Sequence, residues 1–74
     1  MLEKISVLVD EAFRSDMRKV AQDLLVKGFV LDDVLEGIGV LLGSAPSHVI
    51  NALSEVPGVK FVEAIRNDYR ADEE

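Results

Sequence analysis

The chain of 74 residues contains no cysteine, no tryptophan and only one histidine. Without cysteine, a disulfide framework and a thiolate metal site are both excluded. Aromatic residues make up 5% of the chain, against 49% that are hydrophobic, so the core is expected to be aliphatic and arranged in regular layers. A chain this short buries about 60% of the surface that its unfolded form exposes, which predicts one domain with a modest core.

Basic residues are also scarce. Eight Lys and Arg face fourteen Asp and Glu, and the formal charge of −6 disfavours binding to a phosphate backbone, so no nucleic-acid partner is expected. No apolar run approaches the roughly 18 residues of a membrane span, and the short apolar stretch before Asp10 and Glu11 does not resemble a secretory segment. We therefore expect a cytoplasmic protein without a membrane partner.

Two similar halves of the chain each predict a strand, an amphipathic helix ending near a glycine, and a second strand. The first strand shows period-two alternation, and a helix is expected from Ser15 and Asp16 to Gly28. Residues 29–36 read as a strand weakened by two aspartates, which indicates an edge position or a bulge, and a turn at Gly37 follows. A second helix is expected from an N-cap at Ser44, before a last strand at residues 59–65.

This order predicts an α+β fold: a βαββαβ ferredoxin-like sandwich with a four-stranded antiparallel sheet and both helices on one face. Both helices are expected to be about 10 to 14 residues long, in line with the usual helix length. Residues 1–65 would form the single domain, and residues 66–74 an acidic, flexible C-terminal tail.

The face of the sheet without helices is the expected site of function. We expect Ile5, Val7, Val9, Ile38, Val40 and Leu42 to point to the helices. Leu8, Leu41 and Val62 would then point outward on neighbouring strands, where they would form an apolar and nearly flat surface. Such a surface is typical of a contact with another protein, although scattered exposed aliphatic residues are also ordinary on a small domain.

Three stretches of the sequence resemble the propeptide and inhibitor family of subtilisin-like serine proteases. They are Gly28-Phe29 through Val34-Leu35, Gly37-Ile38-Gly39, and Pro57-Gly58-Val59-Lys60-Phe61-Val62-Glu63 at the entry to the last strand. The resemblance covers about residues 5–65 and implies the same βαββαβ sandwich. It also implies a protease partner, bound by the open sheet face against two surface helices and by the C-terminal tail in the substrate cleft.

The tail residues that the resemblance implicates are Arg66, Asp68 and Tyr69. Such clefts favour a large apolar residue at the cleavage position and another three places earlier. Tyr69 in the first role places Arg66 in the second, whereas Ile65 in the second role places Asp68 in the first. The tail therefore departs from the family's pattern.

No pattern in the chain predicts an enzyme, a cofactor or a metal site. His48 lies near Ser44 and Ser47, but a catalytic triad also needs an orienting carboxylate and an oxyanion site. Lys27 or Lys60 would need a desolvated pocket to form a Schiff base, for which a small sandwich has no room. The acidic residues Asp32, Asp33 and Glu36 do not have the spacing of a calcium loop.

A second class of function is a regulatory module, since small βαββαβ domains also pair side by side and hold a small ligand between protomers. The acidic edge strand and the glycine-rich hairpin would then serve a homodimer and its ligand. Only the analogy of fold supports this alternative.

Overall fold

Four strands and two helices follow one another in the predicted βαββαβ order. The structure is a computed structural model that describes residues 2–65. The strands are β1 (Leu2–Val9), β2 (Val30–Leu35), β3 (Val40–Pro46) and β4 (Val59–Ala64), and the helices are α1 (Met17–Val26) and α2 (Ile50–Leu53). Short 3₁₀ segments, Glu11–Asp16 and Ser47–Val49, precede the two helices.

The strands form one antiparallel sheet in the order β2-β3-β1-β4. The first and third strands are thus the central pair, and β2 and β4 are the edges. This arrangement confirms the predicted α+β, ferredoxin-like sandwich. None of the helices within residues 2–65 is long and apolar enough to cross a membrane.

The core lies between the helices and one face of the sheet. Alternation along β1 buries Ile5, Val7 and Val9 at 1% exposure or less, as predicted. Buried side chains from α1, β3 and the α2 region complete the same cluster: Met17, Val20, Ala21, Leu24, Phe29, Leu41, Ala45, Leu53 and Val56. Since these residues meet only on one side of the sheet, the other side is the open face.

The first helix begins at Met17, after Asp16, and ends before Gly28, as the sequence predicts, but a 3₁₀ segment that was not predicted precedes it. Asp10 caps the 3₁₀ segment, its Oδ1 accepting from the Ala12 amide at 3.0 Å. Asp16 precedes α1 but makes no side-chain capping bond. Gly28 follows the helix with a φ of +113°, a conformation that glycine adopts without steric cost.

The second helix is much shorter than predicted, and Ser44 is not its N-cap. Ser44 and Ala45 pair with Lys4 and Glu3 in the ladder between β1 and β3, which extends β3 to Pro46. The α-helical part covers only Ile50–Leu53. Backbone pairing in the centre of the sheet therefore overrides a local capping signal.

The expected facing of β3 is wrong by one residue. Leu41 lies opposite Val7 and is fully buried, whereas Val40 and Leu42 are only half-buried and point to the open face. Ile38 lies in the turn before β3 and is exposed. Because side chains alternate along a strand, this shift exchanges all the residues of β3 between the two faces.

Small residues explain which face of β3 is buried. Gly43 and Ala45 share the side of Leu41, and the ring of Phe29 occupies the space beside Gly43. A Cβ at Gly43 would lie 2.6 Å from Phe29 Cζ and would clash with the carbonyl oxygen of Val30. The buried side of β3 is thus selected by close packing rather than by the larger number of bulky aliphatics.

Val62 also lies on the helix side, contrary to prediction. It pairs with Val7, is half-buried and packs against the core. A bulge opposite Leu8 and Val9 adds Lys60 to β4, so counting along the strand from Val59 gives the wrong face for the residues that follow.

Candidate protein-docking surface

An apolar row crosses the open face of the sheet from one edge to the other. Leu35 of β2 pairs with Val40 of β3, Val40 with Leu8 of β1, and Leu8 with Phe61 of β4. Residues that pair directly across strands point to the same side of the sheet. These four residues, called the apolar row here, therefore form a continuous strip that is four strands wide, or about 14 Å at the usual strand spacing.

The apolar row is accessible along its whole length. Leu35, Val40 and Leu8 are partly exposed, and Phe61 at the edge of the sheet is 48% exposed. No described element covers the open face. Among residues 2–65, the partly buried side chains that pack against the core include none of the four residues of the apolar row.

The neighbouring row of the open face combines one apolar residue with charge at both ends. It consists of Asp33, Leu42, Ser6 and Glu63, again paired in register across the four strands. We call it the acidic row. Leu42 adjoins the apolar row and widens it on the central strands, whereas both carboxylates lie on edge strands and are exposed.

One ion pair lies further along the same face. Lys4 Nζ lies 3.9 Å from Asp32 Oδ2, and both side chains are more than half exposed. Asp32 is the extra residue of a bulge in β2, where the pairing shifts between Leu31 and Asp33. The pair contributes little to stability at this exposure, but it gives Lys4 an anionic neighbour within the domain.

The structure places the predicted site residues in three groups. Leu8 lies on the open face, as predicted, and forms part of the apolar row. Leu41 and Val62 belong to the helix side of the sheet. Arg66, Asp68 and Tyr69 lie outside the described residues.

Sequence reasoning missed most of the surface that the structure assembles. Leu35, Val40, Leu42 and Phe61 complete it around Leu8. The signal that could have found them is the small size of Gly43 and Ala45, since a strand face with small residues suits close packing beneath an aromatic ring. This signal indicates which residues of β3 are buried, and pairing across the strands then identifies the other residues of the open face.

Candidate catalytic groups are all at the surface. His48 lies in the 3₁₀ segment Ser47–Val49, and Lys27 and Lys60 are likewise exposed. Within residues 2–65, no three His, Asp or Glu side chains are grouped closely enough to hold a metal ion. An open groove between the ends of α1 and α2 is lined by Val26, Ala52, Val56 and Pro57 with Asp23, Lys27 and Glu55 at its margin.

Comparison with known proteins found no matching family model, no matching curated protein and no matching solved structure. The geometry of the open face is therefore the basis of the function proposed for this chain.

Proposed function

We propose that this chain is a non-enzymatic protein-binding domain that docks through the open face of its sheet. The observation that carries the proposal is the apolar row, in which four apolar side chains lie side by side across every strand of the sheet. Contiguous apolar surface that is accessible to solvent often marks a contact with another protein. As the sequence predicts, the protein is proposed to act in the cytoplasm.

The arrangement of the two faces supports the proposal further. The helices and the core occupy one face, so a partner on the other face meets a preformed surface supported by the central strands β1 and β3. A rigid surface loses little conformational entropy on binding. Phe61, the largest exposed side chain of the apolar row, is suited to act as an anchor in a partner's pocket.

A subtilisin-like protease is the proposed partner class. The resemblance in sequence suggests it, and the ferredoxin-like sandwich with an uncovered sheet face is the architecture that the resemblance implies. In this proposal the open face packs on surface helices of the protease while residues 66–70 enter its substrate cleft. Strand addition in the cleft would supply main-chain hydrogen bonds.

The absence of catalysis is also part of the proposal. His48, Lys27 and Lys60 are all exposed. A Schiff-base lysine needs a desolvated pocket, which an exposed lysine lacks, and a catalytic histidine needs an orienting carboxylate and an oxyanion site beside it. Binding rather than chemistry is the activity that these side chains support.

Inhibition of subtilisin by the full 74-residue protein tests the proposal. We expect inhibition at micromolar concentration, and Leu42→Asp should weaken it about tenfold or more because a carboxylate would be buried against the partner. Val26→Asp is the matched control, since Val26 is 83% exposed on α1, away from the open face. It should leave inhibition unchanged.

Two results would count against different parts of the proposal. No inhibition by the intact protein would remove the protease as partner. Unchanged inhibition by the Leu42→Asp variant, with the variant still folded, would show that the open face is not the surface used.

A further inference from the structure

Two carboxylates of the open face lie in the row next to the apolar row, one at each edge of the sheet. In the acidic row, Asp33 and Glu63 stand at the two edges of the sheet, about 14 Å apart at the usual strand spacing, with Leu42 and Ser6 between them. The apolar row and the acidic row together contain no lysine or arginine. Lys4 lies one row further on and already pairs with Asp32 at 3.9 Å.

We propose that the occupant of the open face is a cationic amphipathic helix of a partner protein, lying along the apolar row and across the strands. This inference rests on the proposed function and specifies the chemistry of the partner. A helix of about 10 residues spans four strands, since each residue adds 1.5 Å. Its apolar stripe would cover the apolar row, including Phe61.

Basic side chains at one margin of that helix would reach the acidic row. Lys or Arg residues two to three turns apart would match the separation of Asp33 and Glu63. Both carboxylates are exposed in the free domain, so they steer a cationic partner toward the face and fix its direction on the row. Leu42, between them, extends the apolar contact beneath the middle of the helix.

The same charges disfavour other occupants. A nucleic acid or an anionic membrane would meet two carboxylates on a chain with a formal charge of −6. A second copy would bring its own acidic row and no cation within the two rows, which leaves carboxylates unpaired at a contact that excludes water. A basic helix is the occupant that pairs them.

Two synthetic peptides of about 14 residues test this inference. Because isolated helices of this length are only marginally stable in water, both peptides carry a covalent staple that stabilises the helix. They share one apolar stripe and differ only in the residues at its margins, which are Lys in one peptide and Glu in the other. Each is titrated into the full-length ¹⁵N-labelled protein, and amide shifts are followed by NMR. The Lys peptide should shift amides of β1, β3 and β4 around Leu8, Val40 and Phe61, and should bind at least about tenfold more tightly than the Glu peptide.

A double variant checks the role of the two carboxylates. Asp33→Asn with Glu63→Gln should weaken binding of the Lys peptide about three- to tenfold, as expected for two exposed ion pairs. Asp23→Asn with Glu55→Gln removes the same charge beside the groove between the helices and should change the affinity much less.

The outcomes separate this inference from the proposed function. Equal binding of both peptides to the open face would overturn the cationic helix while leaving docking through that face intact. Shifts confined to the helix side, binding by neither peptide up to millimolar concentration, or self-association without peptide binding would also overturn it. Inhibition of subtilisin remains the independent measure of the proposed function.

Discussion

At the scale of single residues, Phe29 and Gly43 jointly fill one position of the core. Phe29 is 2% exposed, and its ring lies over Gly43 on the helix side of β3. The absence of a side chain at Gly43 lets an aromatic ring pack directly on the sheet, in a core that is otherwise aliphatic. This pair fixes which side of β3 is buried and, through it, which residues reach the open face.

Gly43→Ala should therefore destabilise the domain. The added Cβ would lie 2.6 Å from Phe29 Cζ and against the backbone carbonyl of Val30, so the ring and β2 must both shift. We expect a loss of about 1–3 kcal/mol in the free energy of unfolding, measured by urea denaturation followed by circular dichroism.

Gly37→Ala is the matched control for that measurement. No atom lies within 4 Å of the position of its Cβ, and its φ is not positive. The change should alter stability by less than about 0.5 kcal/mol or raise it slightly. Equal effects of the two substitutions would contradict the packing of Phe29 on Gly43.

At the scale of elements, the two edge strands each carry one bulge. Asp32 is the extra residue in β2, and Lys60 is the extra residue in β4. A charged residue at an irregular point of an edge strand discourages pairing with another chain, since the ladder is interrupted there. The bulges also explain why counting by twos along these strands assigns some residues to the wrong face.

Deletion of Asp32 should restore regular pairing in β2. Leu31 would then remain on the helix side and Asp33 on the open face, because the bulge adds one residue between two correctly facing ones. The shortened domain should stay folded but self-associate more strongly through its uninterrupted edge, which sedimentation velocity over a range of concentrations would detect. Asp32→Asn keeps the bulge and should self-associate no more strongly than the unaltered protein; stronger self-association of this variant would assign the protection to charge alone.

Periodicity predicted the elements better than it predicted their facing. Alternation in β1 is unambiguous, because Ser6 separates two β-branched residues that prove to be buried. In β3 both sets of alternate residues begin with aliphatics, so hydrophobic pattern alone does not choose between Leu41 and Leu42. The choice depends on Phe29, which is distant in sequence. The predicted start of the second helix is wrong for a similar reason, since Ser44 pairs with Lys4 across the sheet instead of capping the helix.

At the scale of the whole molecule, the fold separates stability from recognition. The helices and one face of the sheet form the core, and the other face presents the apolar row and the acidic row. This division could be predicted from the sequence, because a four-stranded sheet with two helices has only enough cover for one side. Hydrophobic alternation alone does not predict the particular residues on the free side, apart from Leu8, since they depend on the phase of β3 and on the bulge in β4.

The most direct test of the account uses the absence of cysteine in the chain. Ser6→Cys and Val7→Cys place single, nearly isosteric thiols at adjacent positions of the central strand, one on the open face and one fully buried in the core. Their reaction with a thiol reagent is measured on the folded protein. We predict that the thiol at position 6 reacts at a rate within about tenfold of that of a free thiol. The thiol at position 7 should react about a thousandfold more slowly, because the reagent reaches it only when the domain unfolds. Equal protection of both thiols would contradict an open sheet face.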